Sequence, residues 1–100
     1  MNIKTNSYGT THILAPKGRI DTNTAPELKA AVDALPDSAK ELILDFTGVD
    51  YISSAGLRVL VQAQSKMEGK GGSIKITNVN QIVDEIFEIT GFGELLPIEK

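Results

Sequence analysis

From residue 20 onward this chain alternates two apolar rhythms, and that alternation leaves few architectures open. Leu28, Ala31, Val32 and Leu35 recur at helical spacing. So do Leu57, Leu60, Val61, Gln64 and Met67, and later Val79, Ile82, Val83, Ile86 and Phe87. Each set marks one face of a helix. Between them lie two extended runs, 41–46 (Glu-Leu-Ile-Leu-Asp-Phe) and 73–77 (Ser-Ile-Lys-Ile-Thr). Strands alternating with helices predict right-handed crossovers and mostly parallel pairing.

Local signals set the expected limits. Residues 2–6 and 10–15 read as a hairpin across a turn at Asn6-Ser7-Tyr8-Gly9, with Pro16 and Gly18 breaking the pattern afterwards. Thr24 stands three residues before Glu27, a capping-box spacing, Pro26 suits a first turn and Pro36 ends the first helix. The apolar residues of 41–46 are consecutive, which predicts a central strand buried on both faces. Thr47-Gly48-Val49-Asp50 reads as a turn. The second helix is expected over 54–68, with Arg58, Gln62, Ser65 and Lys66 facing away from the core, and it ends at Gly69-Lys70-Gly71-Gly72. The third runs from Asn78 or Val79 to Thr90, with Gly91 just past its end. Leu95-Leu96-Pro97-Ile98 reads as a short edge strand. The expected order is ββαβαβαβ: an α/β fold with a mixed, mostly parallel sheet, an N-terminal antiparallel hairpin and helices packed against it.

Composition narrows the function. One hundred residues make a single domain, 1–100. Ten basic and thirteen acidic residues leave a net charge of −3, which argues against a broad nucleic-acid or anionic-membrane footprint. No apolar run approaches the ~20 residues of a membrane span, and the N-terminus shows no apolar signal-peptide core. With no Cys, a cytoplasmic protein without disulfides or thiolate chemistry is expected. His12 is the only imidazole, so it alone could serve as the base of a triad and no histidine metal cluster can be built; His12 reads as a surface or rim residue. Gly69-Lys70-Gly71-Gly72-Ser73 has the wrong spacing for a phosphate loop and runs from helix to strand, so it reads as a connector. Asp45 and Asp50 show no sign of an acid–base pair, and Asp84, Glu85 and Glu88 read as a solvated face or a docking edge for a basic partner. No catalytic residue, metal or cofactor is expected.

The segment Asp50-Tyr51-Ile52-Ser53-Ser54-Ala55-Gly56-Leu57 stands apart. It joins the central strand to the second helix, and sites in open α/β sheets gather beyond the carboxyl ends of strands. Serine there is explained by helix capping alone. Capping is the favoured reading from the residues alone, and the functional alternative is phosphorylation, which adds roughly −1.5 to −2 charge at a helix N-terminus that favours anions.

At these residues the chain resembles the anti-sigma factor antagonists, the bacterial members of the STAS-domain family. Gly18-Arg19-Ile20-Asp21-Thr22-Asn23-Thr24-Ala25-Pro26-Glu27-Leu28 resembles the first motif of that family. The run 42–49 is similar to its central strand, Tyr51 to Leu57 to its signature loop, and Ile89-Thr90-Gly91-Phe92 to the end of its third helix. The resemblance implies a STAS fold and partner switching. An unmodified antagonist binds an anti-sigma factor that is also a serine kinase, and so frees a sigma factor. Phosphorylation releases it, and a serine phosphatase restores it. The regulatory serine lies two positions before the glycine of the signature loop, here Ser54. The preceding residue, often aspartate in phospho-regulated members, is Ser53, the second candidate. The docking surface is expected at Ser53, Ser54, Ala55, Gly56, Leu57 and Arg58. Asp21, Thr22 and Asn23 lie beside it, because their loop also follows a strand end. The resemblance leans toward a monomer. Two other readings are an unphosphorylated STAS scaffold of a transporter or signalling assembly, and a small-molecule or nucleotide-binding module with an apolar pocket.

Overall fold

The computed structural model describes residues 1–99; Lys100, the last residue of the expected domain, lies outside them. The elements are β1 (Asn2–Tyr8), β2 (Thr11–Ile20), α1 (Ala25–Asp33), β3 (Glu41–Asp45), β4 (Gly48–Ile52), α2 (Ser54–Gly69), β5 (Ser73–Thr77), α3 (Gln81–Thr90) and the single turn α4 (Phe92–Leu95). β1 pairs antiparallel with β2, while β2 with β3, β2 with β4 and β3 with β5 are parallel. The α/β class, the opening hairpin and the mostly parallel sheet are as the alternation predicts.

The long β2 departs from expectation. It runs straight through Pro16 and Gly18, because two successive strands lie along one side of it. Residues 11–14 pair with β3 and residues 17–20 with β4. Ala15 and Pro16 fall between the two registers, where proline's missing N–H forfeits no ladder bond on that side. Gly18 has φ +105° and sits where the β2–β4 register shifts, a bulge conformation that glycine adopts without penalty. Both apparent breakers mark the change of neighbour.

β4 replaces the expected turn at 47–50. The chain leaves β3 at Phe46, whose N–H still bonds the Thr77 carbonyl, and re-enters beside β2 at Gly48. Asp45 holds this step: its Oδ1 accepts from the Thr47 hydroxyl (2.6 Å), the Thr47 N–H (3.0 Å) and the Asn78 amide (3.0 Å).

Burial on both faces of β3 is also overturned. Leu42 and Leu44 are fully buried, while Glu41, Ile43 and Asp45 are half-buried. Leu14, Leu44 and Ile76 share one register row and one face, and the helices cover that face alone. The opposite face, with Ile13, Ile43 and Lys75, stays partly open. β3 carries an apolar run because Ile43 serves a half-covered layer.

α2 is the central helix. It buries Gly56, Leu57, Val59, Leu60, Ala63 and Met67, a wider face than its apolar spacing suggests, because α1, β4 and β5 all pack on it. Lys66 does not point away: its ammonium donates to the Val32 carbonyl at the end of α1 (2.8 Å). α3 begins at Gln81, later than expected, because Asn80 caps it and Asn78 takes a left-handed φ of 58°. It packs against β4, and the Asn80 side chain also donates to the Val49 carbonyl (2.9 Å). Gly91 ends it with φ +80°, as expected. The expected strand at 95–98 is absent. Residues 92–95 form α4, and only Ile98 bridges to Ile76 at the sheet edge, where Pro97 contributes its carbonyl.

Candidate functional site

β2 and β4 end side by side, with Ile20 in register with Ile52 and the Ser53 N–H donating to the Ile20 carbonyl at 2.8 Å. α1 and α2 start from these two ends, so the loop at 21–23 and the start of α2 form one surface at the carboxyl edge of the sheet. Asp50, Tyr51 and Ile52 belong to β4, and Ser53 alone joins strand to helix.

The two serines do different work. Ser53 is the N-cap of α2, in extended conformation, and its Oγ accepts from the Gly56 N–H at 3.5 Å. Ser54 is the first helical residue. It is exposed, and its hydroxyl makes no hydrogen bond among the described residues. The capping explanation for serine therefore applies to Ser53 and leaves Ser54 without a structural task.

The next residues are set by packing. A Cβ on Gly56 would stand 2.6 Å from Ile52 Cγ1 and 2.7 Å from Ile20 Cγ2, so the glycine lets α2 settle on the strand ends. Leu57 is 1% exposed and anchors the same turn in the core. Ala55 is half-buried and Arg58 exposed. Arg58 lies four residues after Ser54, on the same side of the helix. Gly56 and Leu57, grouped with this surface by sequence, lie beneath it.

Asp21 organises the adjoining loop. Its Oδ1 accepts the N–H groups of Asn23 (2.9 Å) and Thr24 (3.1 Å). These donors, Thr24 first, hold its carboxyl below the ordinary carboxylate range, with a smaller contribution from Arg19. The expected capping box does not form. Thr24 Oγ1 accepts from the Asp21 N–H and donates to the Arg19 carbonyl, and Glu27 instead reaches the Met1 ammonium at 2.7 Å. Thr22 and Asn23 face solvent.

Arg19 and Tyr51, which belong to the quoted motifs but not to the expected docking residues, also border this surface. The Arg19 guanidinium lies 4.4 Å from the centre of the Tyr51 ring, a cation–π geometry. The two residues are register neighbours on β2 and β4, and that strand pairing was not read from the sequence.

Cavities lie elsewhere. One of about 340 Å³ opens between α3 and α4, lined by Asp84, Glu88 and Glu94 among others. Another, about 390 Å³, lies between the hairpin and the end of α1, with half-buried His12 beside Leu35 and Pro36. Gly69 to Gly72 connect α2 to β5, as expected of a connector. Among the described residues no group of three or more His, Asp or Glu is placed to hold a metal ion, and no helix is long and apolar enough to cross a membrane.

The family model described as the STAS domain matches residues 2–100. An anti-sigma-B factor antagonist of Bacillus subtilis is 31% identical over 81 residues, covering 81% of this chain and 74% of that protein. An anti-sigma factor antagonist from Mycobacterium paratuberculosis has a similar structure, with a TM-score of 0.85 and 24% identity over 97% of this chain and 83% of that one. The Bacillus cell fate determinant SpoIIAA in its phosphorylated form gives a TM-score of 0.74 and 14% identity, over 99% of this chain and 92% of that one. At such identities the two structures speak for the fold alone.

Proposed function

The chain belongs to the STAS domain family, and from that membership we propose that it is an anti-sigma factor antagonist switched by phosphorylation of Ser54. The unmodified protein, a monomer, docks an anti-sigma factor that is also a serine kinase, and a sigma factor is released. The Ser54 oxygen then attacks the γ-phosphorus of the kinase's ATP, ADP leaves, and the hydroxyl proton passes to the kinase. The phosphorylated protein dissociates until a serine phosphatase hydrolyses the ester. In this reading the chain is a substrate and a ligand, without catalysis of its own.

One observation carries the choice of residue: Ser54 presents an exposed, unbonded hydroxyl at the first position of α2, while Ser53 is engaged as the cap. A phosphate at Ser54 meets the positive end of the helix dipole and unpaired N–H groups, so the fold accommodates it. Its cost falls on the docked complex. There a dianion without a matching cation loses several kcal/mol, and ~3 kcal/mol already exceeds a hundredfold in affinity. Asp21, Thr22, Asn23, Ala55 and Arg58 form the rest of the docking surface.

Incubation with the cognate kinase and ATP, followed by intact-mass and peptide analysis, tests this. One phosphate is expected on the wild type and on Ser53→Ala, and none on Ser54→Ala. Modification confined to Ser53 overturns the assignment. No incorporation by a kinase that binds the chain is the result an unphosphorylated scaffold requires.

A further inference from the structure

α2 keeps one line of residues in water along its first two turns. Ser54, Arg58 and Gln62 follow each other at i, i+4 and i+8, and all three are exposed, while Leu57, Leu60 and Ala63 on the opposite side are buried. Residues four apart on a helix are neighbours, with about 5–6 Å between their Cβ atoms. The Ser54 hydroxyl and the Arg58 guanidinium therefore share one strip of surface.

Arg58 is a cation with no partner. Among the described residues it makes no hydrogen bond and no ion pair. No acid stands three or four places from it on the helix: residues 54, 55, 61 and 62 are Ser, Ala, Val and Gln. The other basic residues of α2 and its C-terminal cap are engaged. Lys66 donates to the Val32 carbonyl, and Lys70 donates to the Pro36 carbonyl at 3.1 Å. Arg19, the only other arginine of the chain, lies over the Tyr51 ring with its Nε 4.0 Å from the Asp21 carboxylate.

We propose that Arg58 is the built-in counter-cation of a phosphate on Ser54. This rests on the reading of Ser54 as the phosphorylated residue, and it adds what the phosphate does within the chain. The anion precedes the cation by four residues, the more favourable of the two orders on a helix. A guanidinium offers a fork of N–H donors that meets phosphate oxygens two at a time. In the unmodified protein the guanidinium is open to a carboxylate of the partner. In the phosphorylated protein it is turned onto its own phosphate. Phosphorylation thus changes the docking surface twice, by adding a dianion and by closing off the cation beside it. Docking would also have to strip water from both groups, so the pairing favours the released state.

The experiment uses the isotope-labelled full chain with phosphoserine installed at position 54 during translation, so that no kinase is needed. Phosphorus NMR follows the second ionisation of the phosphate, ordinarily at about pH 6. It is expected about 0.2–0.4 pH units lower in wild type than in Arg58→Gln. Arg58→Lys should fall between them, and the gap should close in about 1 M salt. The Arg58 Nε–H resonance is expected to shift on phosphorylation and to exchange more slowly with water. Equal ionisation in wild type and Arg58→Gln, or an unmoved Arg58 Nε–H, overturns the pairing. So does a larger effect of Arg19→Gln, which would give the phosphate to Arg19. Thermal melting of the unmodified variants checks that each is folded. The two readings fail separately: kinase modification confined to Ser53 sinks the Ser54 assignment, whereas these spectra report on the pair alone.

Discussion

Replacing Gly56 with alanine sets two opposed effects against each other, and their sizes decide the outcome. Helix propensity favours alanine by about 1 kcal/mol. Packing opposes it. The new methyl would stand 2.6 Å from Ile52 Cγ1, 2.7 Å from Ile20 Cγ2 and 3.1 Å from Ile52 Cδ1. Comfortable carbon contacts are roughly 3.5–4.0 Å, so about 1 Å must be found against each isoleucine. Both isoleucines are β-branched and stiff at χ1. They are also fully buried register partners at the ends of β2 and β4, so neither can swing aside. Overpacking of this kind costs about 1–3 kcal/mol, and two rigid neighbours place it near the upper end. The expected net loss is about 2 kcal/mol, a fall in Tm of roughly 8–16 °C for a domain of this size. Thermal and urea unfolding measure it. In an Ile52→Ala background the penalty should shrink by about 0.5 kcal/mol or more. A Tm equal to or above wild type would refute the close-packing account and leave propensity as the dominant effect.

Other expectations follow from the same geometry. Ser53→Ala should cost about 0.5–1 kcal/mol, at the lower part of the capping range because its bond is long, and Ser53→Asp should recover it. Ser54→Ala should stay within about 0.5 kcal/mol of wild type; a larger loss on Ser54→Ala than on Ser53→Ala in urea unfolding would reverse their roles. Asn80→Ala removes both the α3 cap at Val83 (2.8 Å) and the bond to the Val49 carbonyl, so a loss of about 1–2 kcal/mol is expected. Asp45, Asp21 and Asp33 are all held below the ordinary carboxylate value of 3.8, chiefly by the Thr47 hydroxyl, the Thr24 N–H and the Lys29 ammonium respectively. Their folded pKa values lie below the unfolded ones, so their contribution is present above about pH 4 and fades as the pH falls through the folded values. The urea midpoint should therefore drop between pH 6 and pH 3 in wild type and drop less in Asp45→Asn; equal slopes would count against Asp45.

Helix positions were legible because period and breakers are local properties. Leu28, Val32, Leu57, Leu60, Met67, Val83 and Phe87 all sit in the core where their spacing put them. β4 was not legible. Gly48 and Asp50 resemble turn residues, and only the second half of β2 makes the segment a strand. Pro16 and Gly18 misled for the same reason, since what they interrupt depends on which neighbour lies alongside. The capping box at Thr24 failed because Asp21, three residues earlier, was better placed to accept the loop's N–H groups. At the tail, Leu95 and Leu96 suit a strand, but Gly91 let the chain turn into α4 first.

By itself the sequence determined the class of fold, the hairpin followed by parallel pairing, and the segment at 53–57 as the place to look. Those conclusions rest on periodicity and short motifs, which are carried by neighbours in the chain. Only the tertiary structure made Ser53 the helix cap and left Ser54 exposed, turned Gly56 and Leu57 inward, set Arg19 over Tyr51, and left Ile82 and Ile89 in water. Each of these depends on which distant strand or helix occupies the space beside a residue, and local spacing does not specify that occupancy.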